Sequence, residues 1–171
     1  MLEAINTVGI YFLSVQTPGG ANCPAVVENE GKELKSLSEK NPRRHGQPVN
    51  AGTLADWRDQ VNKSAVNLAD RVAACGQLTV TRKDALLSQA ALAIIVALGN
   101  EKNQPARLAT LTKLLHIAEK MVAADVPPAT VIRALETADC MVDVLLGQKA
   151  PNLASFRGQI TRIRNSIQGK R

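Results

Sequence analysis

From Ala90 to Leu98 the chain runs nine residues without a polar side chain, A-A-L-A-I-I-V-A-L. A helix that is apolar all round has to be enclosed by other elements or by a membrane. Nine residues are too few to cross a bilayer, which takes about 20. The stretch therefore predicts a helix over about 82–98, buried at the centre of a protein and surrounded by other helices.

The rest of the chain supplies those neighbours. Leu54, Trp57, Val61, Ala65, Leu68, Val72 and Cys75 follow at spacings of 3 and 4, the period of one helix face. Thr53 with Asp56, and Thr81 with Asp84, read as capping-box starts, and Gly76 and Gly99-Asn100 read as stops. Leu108, Leu111, Leu115, Ala118 and Val122 mark a helix over 105–124. Val131, Leu135, Ala138 and Val142 mark another over 129–146, after a break at Val126-Pro127-Pro128. Leu153, Phe156, Ile160, Ile163 and Ile167 form the stripe of a last helix over 152–168. Pro24 suits the first position of a more polar helix, in which Val26, Val27, Leu34 and Leu37 form a thin stripe.

Aromatic residues make up only 2% of the 171 residues, so the core must be built from Ala, Leu, Ile and Val. Such a mixture suits packed helices better than a β-sandwich, whose strands favour aromatic and β-branched residues. The expectation is an all-α bundle of five to seven helices in one domain, residues 21–171. Residues 1–20 are set apart as an apolar N-terminal segment. Leu2, Ile5, Val8 and Phe12 fit one helix face there, although Gly9 to Leu13 also reads as extended. Thr17-Pro18-Gly19-Gly20 separates this segment from the body. That is the pattern of an arm exchanged between subunits, and Leu2, Ile5, Val8, Tyr11 and Phe12 are its candidate oligomer contacts. An N-terminal helix packed on its own core fits the same residues.

Charge is distributed unevenly. The formal net charge is +6, and residues 1–147 carry equal numbers of acids and bases. The excess sits in the last 24 residues, which hold Lys149, Arg157, Arg162, Arg164, Lys170 and Arg171 and no acid. A basic C-terminal helix suggests an acidic partner (nucleic acid, an anionic surface or a neighbouring subunit), and a solvated face that aids solubility fits the same residues. Arg157, Arg162, Arg164, Lys170 and Arg171, with the loop pair Arg43 and Arg44, are the candidate contacts with RNA or DNA phosphates or with an acidic partner. Phe156 belongs to the apolar stripe, so no stacking platform for single strands is present. A basic helix lying on anionic lipid is the weaker alternative.

Catalytic and metal chemistry have little to draw on. The two histidines are His45, in a loop, and His116, in a helix with Glu119 on the same face. Di-iron bundles need paired Glu-x-x-His units and further carboxylates, so His116 reads as a polar-edge residue. No nucleophile elbow or phosphate-binding glycine loop occurs. Glu136, Asp139 and Asp143 fall on one helical stripe and read as ion-pair partners for the arginine-bearing last helix. The turn before residue 129 does not open a recognition helix, because only Thr130 and Arg133 precede an acidic run. No catalytic residue, metal, cofactor or small-molecule substrate is expected.

Cys23, Cys75 and Cys140 share no C-x-x-C spacing and read as reduced, buried thiols, with one disulfide in an oxidising compartment as the alternative. Residues 8–15 resemble the apolar part of a signal peptide, but Glu3 precedes them, no base does, and no A-x-A site follows. The expectation is a cytoplasmic or virion protein with no recognisable signal peptide and no transmembrane helix. Together these features fit a homo-oligomeric structural protein, such as a viral or phage coat or shell subunit. The alternative is a small basic nucleic-acid-binding accessory protein or regulator.

Overall fold

In a computed structural model the described residues are 22–42, 50–145 and 152–169. The N-terminal segment, with Leu2, Ile5, Val8, Tyr11 and Phe12, lies outside them, as do Arg43, Arg44, Lys170 and Arg171. Six helices and no strand are found among the described residues. They are α1 (Cys23–Glu39), α2 (Ala51–Ala74), α3 (Val80–Gly99), α4 (Gln104–Ala123), α5 (Pro128–Leu145) and α6 (Leu153–Gly169).

The 3-and-4 spacing carries into the core. Every named stripe residue of α2 is buried, from Leu54 to Cys75, and so are Leu153, Phe156, Ile160, Ile163 and Ile167 of α6. In α4, Leu111, Leu114, Leu115, Ile117, Ala118 and Met121 are buried, making its apolar face broad. Each fully buried Leu, Ile or Met contributes roughly 1.5–3 kcal/mol relative to exposure. The layers are arranged in order. α1 packs on α2 and α3, α3 packs chiefly on α2 and α4, and α6 packs on α4 and α5. α1 and α6 have no contact with each other.

The enclosure expected of Ala90–Leu98 is incomplete. Ala90, Ala91, Ala93, Ile94, Ala97 and Leu98 are buried, but Leu92 is 61% exposed. α1 is too short a cover: it meets α3 at Gly31, where an added Cβ would lie 2.8 Å from Leu86 Cδ2. That close approach lets Gln89 donate its side-chain amide to the Gly31 carbonyl.

The helix ends differ from expectation by a few residues. α2 starts at Ala51, capped by Asn50, whose side chain accepts from Gly52 N at 2.9 Å, rather than at Thr53. Thr79, not Thr81, caps α3 by accepting from Arg82 N, and Asp84 accepts from Ser88 instead of closing a capping box. α4 ends in a Schellman turn: Asp125 has φ 58°, its N–H reaches Val122 O, and Val126 N reaches Met121 O. Pro128 opens α5 rather than merely breaking α4.

The expectation of three reduced, buried thiols is corrected. Cys23 and Cys75 form a disulfide, with Cα atoms 5.9 Å apart across 52 positions of sequence. Cys140 is free but exposed on α5. The bond joins the first residue of α1 to the end of α2, and both cysteines are buried. Side-chain ties follow along α1. Arg82 donates to both carboxylate oxygens of Glu28, Arg71 pairs with Glu30, and Trp57 Nε1 donates to Leu37 O at 2.9 Å. Val26, expected in the stripe of α1, is exposed, and its buried face is Cys23, Val27, Gly31 and Leu34.

Loop-closure entropy sets the expected size of the disulfide's effect. Closing a loop of 52 residues stabilises the fold by up to about 4 kcal/mol. Urea unfolding of Cys75→Ala, or of the parent chain with excess dithiothreitol, is expected to show a loss of that order. An unchanged midpoint would mean the bond does not form. A pH effect follows from Glu28, whose carboxyl is held below its ordinary value by hydrogen bonding to Arg82. A lowered carboxyl contributes stability above its unfolded value and loses it as the pH falls through the folded one. The parent should therefore lose stability faster than Glu28→Gln below about pH 4, measured by circular dichroism during acid titration.

Candidate contact surfaces

Three groups of residues outside the core hold the chemistry, and each lies on a different part of the bundle. The first is a groove of about 550 Å³ between α1 and α3. Leu34, Leu92, Ala93 and Val96 supply its apolar wall, and Lys35, Ser38, Glu39, Asn41 and Gln89 its rim. α1 leaves one side of α3 open, so Leu92 stays exposed while Val96, one turn on, is partly buried against the core. On the other side of α1 a cleft of about 490 Å³ is lined by Leu34 and Leu37 together with Glu30, Glu33, Ser36, Lys40, Ser64, Asn67 and Arg71.

The second group is the outer surface of α6. Arg157, Arg162 and Arg164 are all exposed there, but they do not converge. Arg157 is committed to α5: its Nη2 donates to Asp143 Oδ1 at 2.7 Å, and its Nε lies 3.6 Å from Asp139 Oδ1. The expected ion pairing of that acidic stripe thus involves Asp139 and Asp143, on Arg157 alone. Arg162 and Arg164 make no ion pair among the described residues. Two positions apart on a helix, they point roughly 160° away from each other. One phosphate could not engage both.

The third group sits between α2 and α4. His116 Nε2 lies 2.7 Å from Asp70 Oδ1, and Lys120 Nζ lies 3.7 Å from the same oxygen. All three side chains are part-exposed. One carboxylate oxygen is shared between two basic groups, and no hydroxyl or thiol among the described residues bonds to His116. The arrangement orients an imidazole but brings no nucleophile to it. His116 turns toward Asp70 rather than toward Glu119, its expected neighbour. No group of three or more His, Cys, Asp or Glu residues that could hold a metal ion occurs among the described residues.

One buried polar cluster escaped the sequence reading. Arg58, largely buried, donates Nη1 to Asn100 O at 2.6 Å and places Nε 3.0 Å from Glu101 Oε2. Arg107 Nε reaches Glu101 O, and Glu101 Oε1 accepts from the backbone of Lys102 and Asn103. The cluster pins the loop from α3 to α4, placing a cation against the carbonyl end of α3. Asn62, one turn beyond Arg58, is buried with its Oδ1 unpaired. No sequence motif signals this cluster, because its members lie in three separate segments.

No helix among the described residues is long and apolar enough to cross a membrane. No family model matches the chain, and neither does any curated protein or solved structure.

The commitment of Arg157 has a measurable consequence. Exposed ion pairs contribute about 1 kcal/mol or less, so Arg157→Ala should change stability by no more than that. Asp139→Asn with Asp143→Asn should instead release Arg157 and delay elution from a heparin column. Earlier elution of the double variant would contradict the pairing.

Proposed function

We propose that this chain is a non-enzymatic structural protein that assembles with copies of itself, in the manner of a viral or phage coat or shell subunit. The observation that carries this reading is the open groove beside α3, where Leu92 is 61% exposed within the apolar run Ala90–Leu98. An exposed leucine at the edge of a groove is available to a neighbouring subunit, which would bury it. The outward arginines of α6 lie on a helix that touches neither α1 nor α3. Such a subunit would meet its neighbours at the groove and present Arg162 and Arg164 separately to nucleic acid or an acidic surface. The disulfide weighs toward a virion or another oxidising setting rather than the cytoplasm, because such bonds persist where thiols are not kept reduced.

A second reading, a small basic nucleic-acid-binding accessory protein or regulator, is favoured by the exposure of Arg162 and Arg164 alone. It would contact phosphate without reading bases, and its affinity would fall steeply with salt.

Sedimentation velocity across a hundredfold range of concentration, with and without nuclease, separates the two. Self-assembly predicts a rise in mass with concentration that survives nuclease. A monomer at every concentration would refute the assembly reading. The second reading predicts binding to an unrelated RNA or DNA duplex that is lost in the triple variant Arg157→Ala, Arg162→Ala, Arg164→Ala. Unaltered binding in that variant would refute it.

A further inference from the structure

We propose that the Cys23–Cys75 bond is a redox latch on α1: its reduction lets α1 lift from α2 and α3 while the other five helices stay folded. The device goes beyond the assembly reading and does not depend on it. α1 touches only α2 and α3, whereas α2 to α6 hold one another through contacts that do not involve it. Apart from Cys23, the buried apolar side chains of α1 are Val27 and Leu34, against five in α6. Its remaining ties are polar. Arg82 pairs with Glu28 and Arg71 with Glu30, all of them partly exposed, and such pairs are weak. Gln89 donates to the Gly31 carbonyl, and Trp57 to that of Leu37. A segment with few buried apolar contacts sits at the low-stability end of a fold and opens before the rest. The disulfide adds a covalent restraint to it, joining its first residue to the start of the turn between α2 and α3.

The surroundings suit both redox states. Gln77 Oε1 lies 2.8 Å from Cys23 Sγ and 3.7 Å from Cys75 Sγ. A carbonyl oxygen has two lone pairs, so both thiols made by reduction find an acceptor close by. Disulfides are cleaved by thiolate attack through a mixed disulfide. One thiolate of a small dithiol bonds to one sulfur of the pair and displaces the other. Its second thiolate then displaces the bound cysteine and closes a cyclic disulfide. Two electrons and two protons pass from the dithiol to Cys23 and Cys75. Both cysteines are buried, so the attack follows a transient opening of this end of α1, and the cut makes that opening lasting. Lifting α1 uncovers Leu86 and Gln89 where Gly31 had pressed on them, and removes one bank of the groove beside Leu92.

Hydrogen–deuterium exchange of the full-length chain, read by mass spectrometry, tests this. Rates are compared for peptides from α1, α4 and α6 in the oxidised chain, in the same chain with excess dithiothreitol, and in the double variant Cys23→Ser, Cys75→Ser. Reduction should widen the gap between the α1 rate and the α4 and α6 rates by at least about tenfold. Replacing dithiothreitol by oxidised glutathione should close that gap in the parent. The double variant should show the wide gap with or without reductant. A gap that is unchanged on reduction, whether all rates rise together or none moves, would overturn the latch, because the bond would then brace the whole bundle or nothing. A gap that stays wide after reoxidation would overturn it as well. Should the double variant fail to fold, the reduced parent decides alone, because its bond is cut after folding is complete.

Discussion

The bundle depends on desolvating α3. With aromatics reduced to Tyr11, Phe12, Trp57 and Phe156, large rings cannot bridge wide gaps between helices. Close approach of small side chains does the work instead. Ala90, Ala91, Ala93 and Ala97 of α3 and Ala65 and Ala69 of α2 are all buried, and Gly31 brings the backbone of α1 down onto Leu86. Cores packed in this way are sensitive to added volume, because few voids are available to absorb it. The same economy leaves α3 short of cover on one side, which is where the groove lies.

α1 is held by different means from the other helices. Its buried apolar side chains, apart from Cys23, are Val27 and Leu34. In compensation it carries a disulfide, two ion pairs and two side-chain-to-carbonyl hydrogen bonds. Exposed ion pairs are weak individually, so the covalent bond and the buried indole bond are the main restraints. α6 represents the opposite solution, with five buried apolar residues and one exposed arginine pairing with α5.

Much of the architecture was legible in the sequence because periodicity reports burial directly. The stripes of α2 and α6 were readable residue by residue, since a helix with one apolar face has only one way to bury it. The caps were less so. Asn50 and Thr53, or Thr79 and Thr81, are equally able to accept from the backbone, and the choice between them depends on where the preceding loop turns. Pairing of Cys23 with Cys75 was not legible, because nothing local brings together residues 52 apart. The exposure of Leu92 was missed for a related reason: a run of apolar residues specifies that cover is needed, not which side remains open. The acidic stripe was legible as a partner for the last helix, but that Asp139 and Asp143 both engage Arg157, leaving Glu136 out, depends on how α5 packs on α6. The arm residues and the other basic candidates, Arg43, Arg44, Lys170 and Arg171, lie outside the described residues.

The position of Trp57 has a consequence for how the molecule can be observed. It is the chain's single tryptophan, and it is buried with its indole N–H bonded to a carbonyl in the last turn of α1. Its emission colour is therefore tied to one seam, that between α1 and α2, rather than to the protein as a whole. A red shift would register the lifting of α1 while the far helices stay folded. Loss of α6 alone would leave the spectrum where it was. The chain carries its own optical gauge for the helix that borders the groove.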